Sequence, residues 1–113
     1  MTFSIDYIEF PTDDHAASRA FFRDALGFGL VDYGPDYTAL EGAGLDGGLD
    51  PAETRVAATM AVMRTDDLDA AERAVTAGGG EITRPQFDFP GGRRFHFRAP
   101  GGIELAVYVE RTG

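Results

Sequence analysis

The sequence predicts an α+β fold made of two consecutive βαβββ modules, residues 3–50 and 56–110, within one domain spanning residues 1–113. Three observations predict it. An apolar strand running into an acidic helix cap, Tyr7-Ile8-Glu9-Phe10-Pro11-Thr12-Asp13-Asp14, recurs in a near copy from Met60 to Asp67. Each copy leads into a segment with apolar residues at three- and four-residue steps, closed by glycines. Each helix is followed by short apolar runs separated by Gly and Pro turns. Duplication at a period of about 50 residues is itself an architectural signal.

Taken in order, Phe3 to Phe10 reads as the first strand, with Ile8 and Phe10 on one side and Ile5, Tyr7 and Glu9 on the other. Pro11 ends it, and Asp13 or Asp14 offers a carboxylate to the free N–H groups of a helix. Ser18, Phe21, Phe22, Ala25 and Leu26 form that helix's expected core stripe, and Gly27 and Gly29 stop it. Strands are expected over Phe28–Tyr33, Tyr37–Glu41 and Leu45–Leu49, with Gly47-Gly48 either weakening the last or letting another group approach its backbone closely. Asp50 to Arg55 is polar, contains Pro51 and lacks periodicity, so it reads as the internal linker. A strand over Val56–Met63, a cap at Asp66-Asp67 and a helix burying Leu68, Ala71, Ala74 and Val75 restart the pattern. Gly78-Gly79-Gly80 ends this second helix, and strands over Glu81–Arg84, Arg93–Arg98 and Ile103–Val109 close it, separated by Pro85–Gly92 and Ala99–Gly102.

Composition bounds the function. Hydrophobic residues at 43% and aromatics at 12% suit an ordered globule. The 10 basic and 19 acidic side chains give a net charge of −9, which disfavours nucleic acid as a partner. No cysteine is present, which removes disulfides, thiolate nucleophiles and Cys-ligated metals. No apolar run reaches the roughly 20 residues of a membrane span, and Met1-Thr2-Phe3-Ser4 lacks a basic stretch, so a cytoplasmic protein without a membrane partner is expected. The glycine turns lack the spacing of phosphate loops, and no Ser, His and Asp constellation is supported.

Four local motifs stand in this duplicated frame: Tyr-Ile-Glu-Phe-Pro-x-x-Asp at Tyr7–Asp14, Ala-Phe-Phe-x-x-x-Leu-Gly-Phe at Ala20–Phe28, the Gly-Gly-x-Ile-Thr-Arg-Pro run at Gly79–Pro85, and Pro-Gly-Gly-x-Glu-Leu-Ala-Val at Pro100–Val107. In this arrangement the chain resembles the vicinal oxygen chelate superfamily, which includes glyoxalase I, bleomycin resistance proteins and extradiol dioxygenases, and the resemblance covers essentially the whole chain. The resemblance implies sheets curled around a cleft with helices outside, and homodimers whose cleft is built from one chain or two. It also implies His or Glu metal ligands on the first and last strand of each module. Those places fall on Tyr7, near Met60 and on Ala106, while the last strand of the first module offers no secure match. A divalent ion wants several N or O donors at about 2.0–2.5 Å, and Tyr, Met and Ala leave too few. A two-residue slip recovers Glu9 and Glu104 as carboxylates but brings no histidine.

By the same resemblance Glu9, on the face of Tyr7, and Glu104, on the face of Ala106 and Tyr108, point into the cleft. Two carboxylates in a partly apolar cavity suit acid and base roles, while the plainer alternative is pairing with an arginine or with backbone N–H groups. In Arg93-Arg94-Phe95-His96-Phe97-Arg98 one strand face carries Arg94, His96 and Arg98, the other Arg93, Phe95 and Phe97, and the sequence leaves open which meets the cleft. An arginine there suits a carboxylate ligand, and His96 titrates near neutrality. His15, at a helix start, reads as a surface residue. Of the strand aromatics Tyr7, Tyr33, Tyr37, Phe87, Phe89 and Tyr108, Tyr7 and Tyr108 share the parity of the acids.

The expectation is a small-molecule-binding protein without a metal or other cofactor, working as a homodimer. Its candidate catalytic residues are Glu9, Glu104 and His96, and its candidate ligand-binding residues are Tyr7, Arg94 and Tyr108. The alternatives are an enzyme of the same fold, either metal-assisted (lyase, isomerase or dioxygenase) or using Glu9 and Glu104 as acid and base, and a dimeric interaction module without a ligand.

Overall fold

The computed structural model describes residues 2–111. Met1, Thr112 and Gly113, the outermost residues of the expected domain, lie outside the described residues. The chain forms two compact units, the first Tyr7–Met60 and the second Met1–Asp6 with Ala61–Gly113. Strand β1 (Phe3–Pro11) supplies residues to both.

The first unit continues with α1 (His15–Asp24), β2 (Gly29–Asp32), β3 (Thr38–Glu41) and β4 (Asp46–Asp50). Its strands lie in the order β2, β3, β4, β1, with β1 and β4 parallel and the others antiparallel. Asp14 caps α1, its carboxylate accepting from the Ala17 N–H at 3.0 Å. Gly27 at φ +76°, a conformation that L side chains resist, turns the chain out of the helix so that Gly27 and Phe28 donate to the Arg23 and Phe22 carbonyls. Phe22 packs its ring on Phe10 and Phe28, with centroids 5.3 and 6.2 Å apart, and Leu40 and Leu49 are buried.

The expected α1 stripe is narrower than the sequence suggested. No α1 residue is fully buried, Phe21 is 57% exposed, and Ala25 and Leu26 are exposed. Phe21 and Phe22 stand about 100° apart around the helix, so one apolar stripe holds only one of them. Ala25 and Leu26 follow the last helical residue, Asp24, where helical spacing no longer sets direction. His15 also differs from its expected surface role. It is half-buried, with Nε2 2.7 Å from Thr38 Oγ1, and Thr38 donates on to Asp32 Oδ1 at 2.6 Å. Arg19 closes the network with two hydrogen bonds to Asp32 at 2.9 and 2.7 Å. The Thr38 hydrogen bond first, and Arg19 second, hold the Asp32 carboxyl below its ordinary pKa.

The second unit contains β5 (Met60–Thr65, from Ala61), α2 (Leu68–Ala77), β6 (Glu81–Phe89), β7 (Gly92–Ala99) and β8 (Ile103–Glu110). Its strands run in the order β5, β8, β7, β6, with β5 parallel to β8. Asp67 caps α2 by accepting from Ala70 N–H at 3.0 Å. Leu68 and Ala71 of α2 pack with Phe95, Phe97 and Val107 as one buried cluster, and Val75 packs against it. Ala74, expected on this face, is exposed.

Two strand boundaries move by more than two residues. β5 starts at Met60 rather than at Val56. β6 runs through Pro85 to Phe89, where a separating loop was expected. Proline is compatible with a strand at the end of a sheet, and register shifts on either side of Arg84 absorb it. No helix among the described residues is long and apolar enough to cross a membrane.

Candidate ligand site

In the first unit Ile8 and Phe10 turn to the α1 side, which leaves Tyr7 and Glu9 on the opposite face of β1. Opposite them on β4 stand Asp46 and Gly48, and Gly48 also faces Ala39 of β3. The Tyr7 and Tyr37 hydroxyls hydrogen-bond to each other. They do so directly over Gly48, where a Cβ would collide with the Tyr37 ring and lie 2.6 Å from the Tyr7 hydroxyl. The close approach expected at Gly47-Gly48 is thus made by this tyrosine pair. Glu9 is 5% exposed, a carboxylate well inside the protein.

In the second unit register settles which face of β7 carries the polar groups. Arg94 faces Tyr108, His96 faces Ala106 and Arg98 faces Glu104, whereas Phe95 and Phe97 turn to α2. Strand β6 extends the polar face with Arg84 opposite His96 and Phe87 opposite Arg94. Four of the expected site residues, Arg94, His96, Glu104 and Tyr108, therefore share one face.

His96 is 5% exposed and its ring centroid lies 5.6 Å from that of Phe87. Arg94 Nε donates to His96 Nε2 at 3.1 Å, which makes Nε2 the acceptor and leaves the ring proton on Nδ1. Burial first, then the Arg94 and Arg84 charges, lower the His96 pKa to about 4, so the ring is neutral at pH 7. The Arg84 guanidinium lies 3.7 Å from the Phe87 centroid, and that of Arg94 lies 5.8 and 5.7 Å from Phe87 and Phe89. Phe89 in turn meets Tyr108 edge-on at 6.2 Å. The Tyr108 hydroxyl donates to Asp6 Oδ2 at 2.9 Å, and burial together with that carboxylate pushes its pKa well above the ordinary value. Asp6 Oδ1 is buried and has no hydrogen-bond partner among the described residues.

Glu104 stands farther along the face. It accepts from Thr83 Oγ1 at 2.7 Å and lies 3.7 Å from Nε of Arg98, whose Nη1 lies 3.6 Å from Glu81. It is half-buried, in the paired arrangement that was the plainer expectation for an acid here.

Asp6 and Arg84 were not among the expected site residues, and Tyr37, named only as a strand aromatic, was not expected to pair with Tyr7 over Gly48. Arg84 was hidden by its neighbour Pro85, which looked like the end of a strand. Asp6 alternates with Tyr7 and Glu9, so parity placed it with the core residues. A hollow of about 490 Å³ in the first unit is lined by Pro11, Thr12, Asp13, Glu53, Arg55, Val56 and Ala57, and none of the expected site residues borders it. Among the described residues no three His, Asp or Glu side chains gather closely enough to hold a metal ion.

The profile of the Glyoxalase/Bleomycin resistance protein/Dioxygenase superfamily matches residues 4–107. Among solved structures, the chain is similar to a glyoxalase/bleomycin resistance protein/dioxygenase superfamily member from Vibrio splendidus 12B01, with TM-score 0.72, 19% identity, and 92% of this chain and 97% of that one covered. It is also similar to methylmalonyl-CoA epimerase from Mycobacterium tuberculosis, with TM-score 0.74, 17% identity, and 95% and 87% covered. The Mn(II)-bound glyoxalase from Novosphingobium aromaticivorans gives TM-score 0.67 at 20% identity, over 96% of this chain and 41% of that one. At these identities the likeness is one of fold. No curated protein sequence matches the chain.

Proposed function

Because the chain belongs to the glyoxalase/bleomycin resistance protein/dioxygenase superfamily, we propose that it binds a small organic molecule and does so without a resident metal ion. The donor set carries this reading. Seven residues before the two helix caps, Asp14 and Asp67, stand Tyr7 and Met60, and the matching place on β8 is Ala106. Tyr7 spends its hydroxyl on Tyr37, Met60 offers a soft thioether that is 2% exposed, and Ala106 offers no donor. A hard or borderline divalent ion finds no adequate shell in these three. The aromatic and cationic side chains of the second unit, Arg94 and Tyr108 among them, supply the polar and apolar surface that binds an organic ligand.

Elemental analysis of the protein purified without chelator is expected to find no near-stoichiometric divalent metal. Metal retained at one ion per chain through desalting would overturn the metal-free reading. A melting-temperature screen against small organic molecules is expected to return stabilising compounds, and a screen in which none stabilises would overturn the ligand-binding reading.

A second reading is favoured by the depth of Glu9. A buried carboxylate beside a tyrosine pair suits a base that removes a proton next to a carbonyl. In that case Glu9→Gln keeps ligand-induced melting shifts and loses turnover, whereas in a pure binding protein no turnover exists to lose. His96, neutral at pH 7, serves in either case as a hydrogen-bond donor through Nδ1. A homodimer remains part of the proposal, supported by the exposed apolar Phe3, Ile5 and Ile103, and light scattering tests it.

A further inference from the structure

We infer that Arg84, Phe87, Arg94 and His96 form a subsite for the oxyanion of a flat organic acid, an aryl carboxylate or aryl phosphate. The inference rests on the small-molecule-binding reading and names its ligand class.

Arg84 carries most of the weight. The chain has 19 acidic side chains against 10 basic ones, so an arginine readily finds a carboxylate. Arg19, Arg23, Arg64, Arg93 and Arg98 do, at 2.7 to 3.7 Å, while Arg55 and Arg111 donate to backbone carbonyls and Arg73, like Arg84, has no ion pair among the described residues. No ion pair engages Arg84 among the described residues, and its guanidinium instead lies 3.7 Å over the Phe87 ring. A guanidinium stacked by its face keeps its N–H donors in the plane, pointing past the ring edge, where a carboxylate or phosphate accepts two of them in parallel.

The surroundings extend the match. Arg84 is exposed, His96 directly opposite it is buried, and the neighbouring pair Phe87 and Arg94 is half-buried, so the face offers both an accessible and a buried donor. Phe87 and Phe89 offer ring faces for a flat body. Burial first, then the Arg94 and Arg84 charges, lower the His96 pKa. The neutral ring keeps an Nδ1–H to donate. The nearby carboxylate of Asp6 turns Oδ2 to the Tyr108 hydroxyl.

The test is a chemical-shift titration of the isotope-labelled full chain, read at the His96 ring and neighbouring amides, with benzoate, phenyl phosphate and benzamide. Benzamide keeps the ring and removes the charge. At least one anion is expected to bind about ten-fold or more tightly than benzamide, the value of one to two charge-assisted hydrogen bonds. Whether benzoate or phenyl phosphate binds better identifies the oxyanion. Arg84→Gln is expected to erase the preference for the anion, and Arg84→Lys to restore part of it. Arg84 is exposed, so both variants should fold and melt cooperatively, with at most a small drop in Arg84→Gln from the lost contact with the Phe87 ring. Equal binding of benzamide and the anions, or a preference that survives Arg84→Gln, overturns the oxyanion subsite while leaving ligand binding intact. Absence of any shift with all three probes also overturns it, with the melting screen deciding the broader reading separately.

Discussion

In the first module Asp14 receives the Ala17 N–H at 3.0 Å, and in the second Asp67 receives the Ala70 N–H at the same distance. In both, the first and last strands pair directly in parallel, and the two remaining strands follow antiparallel on the far side of the last. The contents differ. β2, β3 and β4 have 4, 4 and 5 residues, against 9, 8 and 8 for β6, β7 and β8, so only the second sheet has room for a packed face and a polar face of comparable extent. Helix α1 buries no residue fully, whereas α2 buries Leu68 and Ala71. Counting five residues back from each cap sets Glu9 against Val62, and their strand partners set Gly48 against Ala106. One module thus holds a buried acid over a glycine where the other holds two apolar side chains. Duplication preserved caps and pairing, which any sequence of this frame needs, and left the facing side chains free to diverge.

The largest expected break in that comparison is in core strength. Phe95 is 0% exposed at the centre of the second unit, so Phe95→Ala should cost about 3–5 kcal/mol. Phe22, half-buried on α1, should cost about 1–2 kcal/mol on the same change. Urea denaturation midpoints measure both, and equal losses would mean that the two units bury their aromatics alike.

Acid should separate the units next. His96 is held at a pKa of about 4 and returns to the ordinary 6.5 on unfolding. Between those values the unfolded chain binds the extra proton, so stability is full above pH 6.5 and falls as pH drops toward about 4. The loss should reach at most about 3 kcal/mol, and His96→Gln should flatten that part of the stability-against-pH curve. An unchanged slope in the variant would assign the acid sensitivity to other groups.

The smallest break is at the tyrosine pair. Gly48→Ala drives a methyl into Tyr37 and should cost about 1–3 kcal/mol, and much less in a Tyr37→Ala background. Its counterpart Ala106→Gly, which adds backbone freedom and removes a buried methyl, should cost about 1–2 kcal/mol. Thermal melts of the four variants compare them.

Caps and helix stops were legible in the sequence because they depend on neighbours a few residues away: Asp14, Asp67 and Gly27 act as their local context requires. The close approach at Gly48 was legible as an opening, and its occupant was not, since Tyr37 arrives from a different strand. The facing of Arg94 and His96 needed the register with β8, which no local pattern carries. Phe21 was misread because three- and four-residue steps admit two adjacent aromatics where the sheet accepts one. Arg84 was lost with Pro85, whose usual meaning as a breaker gives way at a sheet margin.

That proline has a consequence beyond the fold. β6 ends the row of strands in the second unit, Pro85 has no N–H to donate, and the register against β7 shifts on either side of Arg84. A strand from another molecule pairing there would meet an irregular edge, a device that disfavours sheet extension. A concentrated solution of the protein should resist that route to aggregation at this margin.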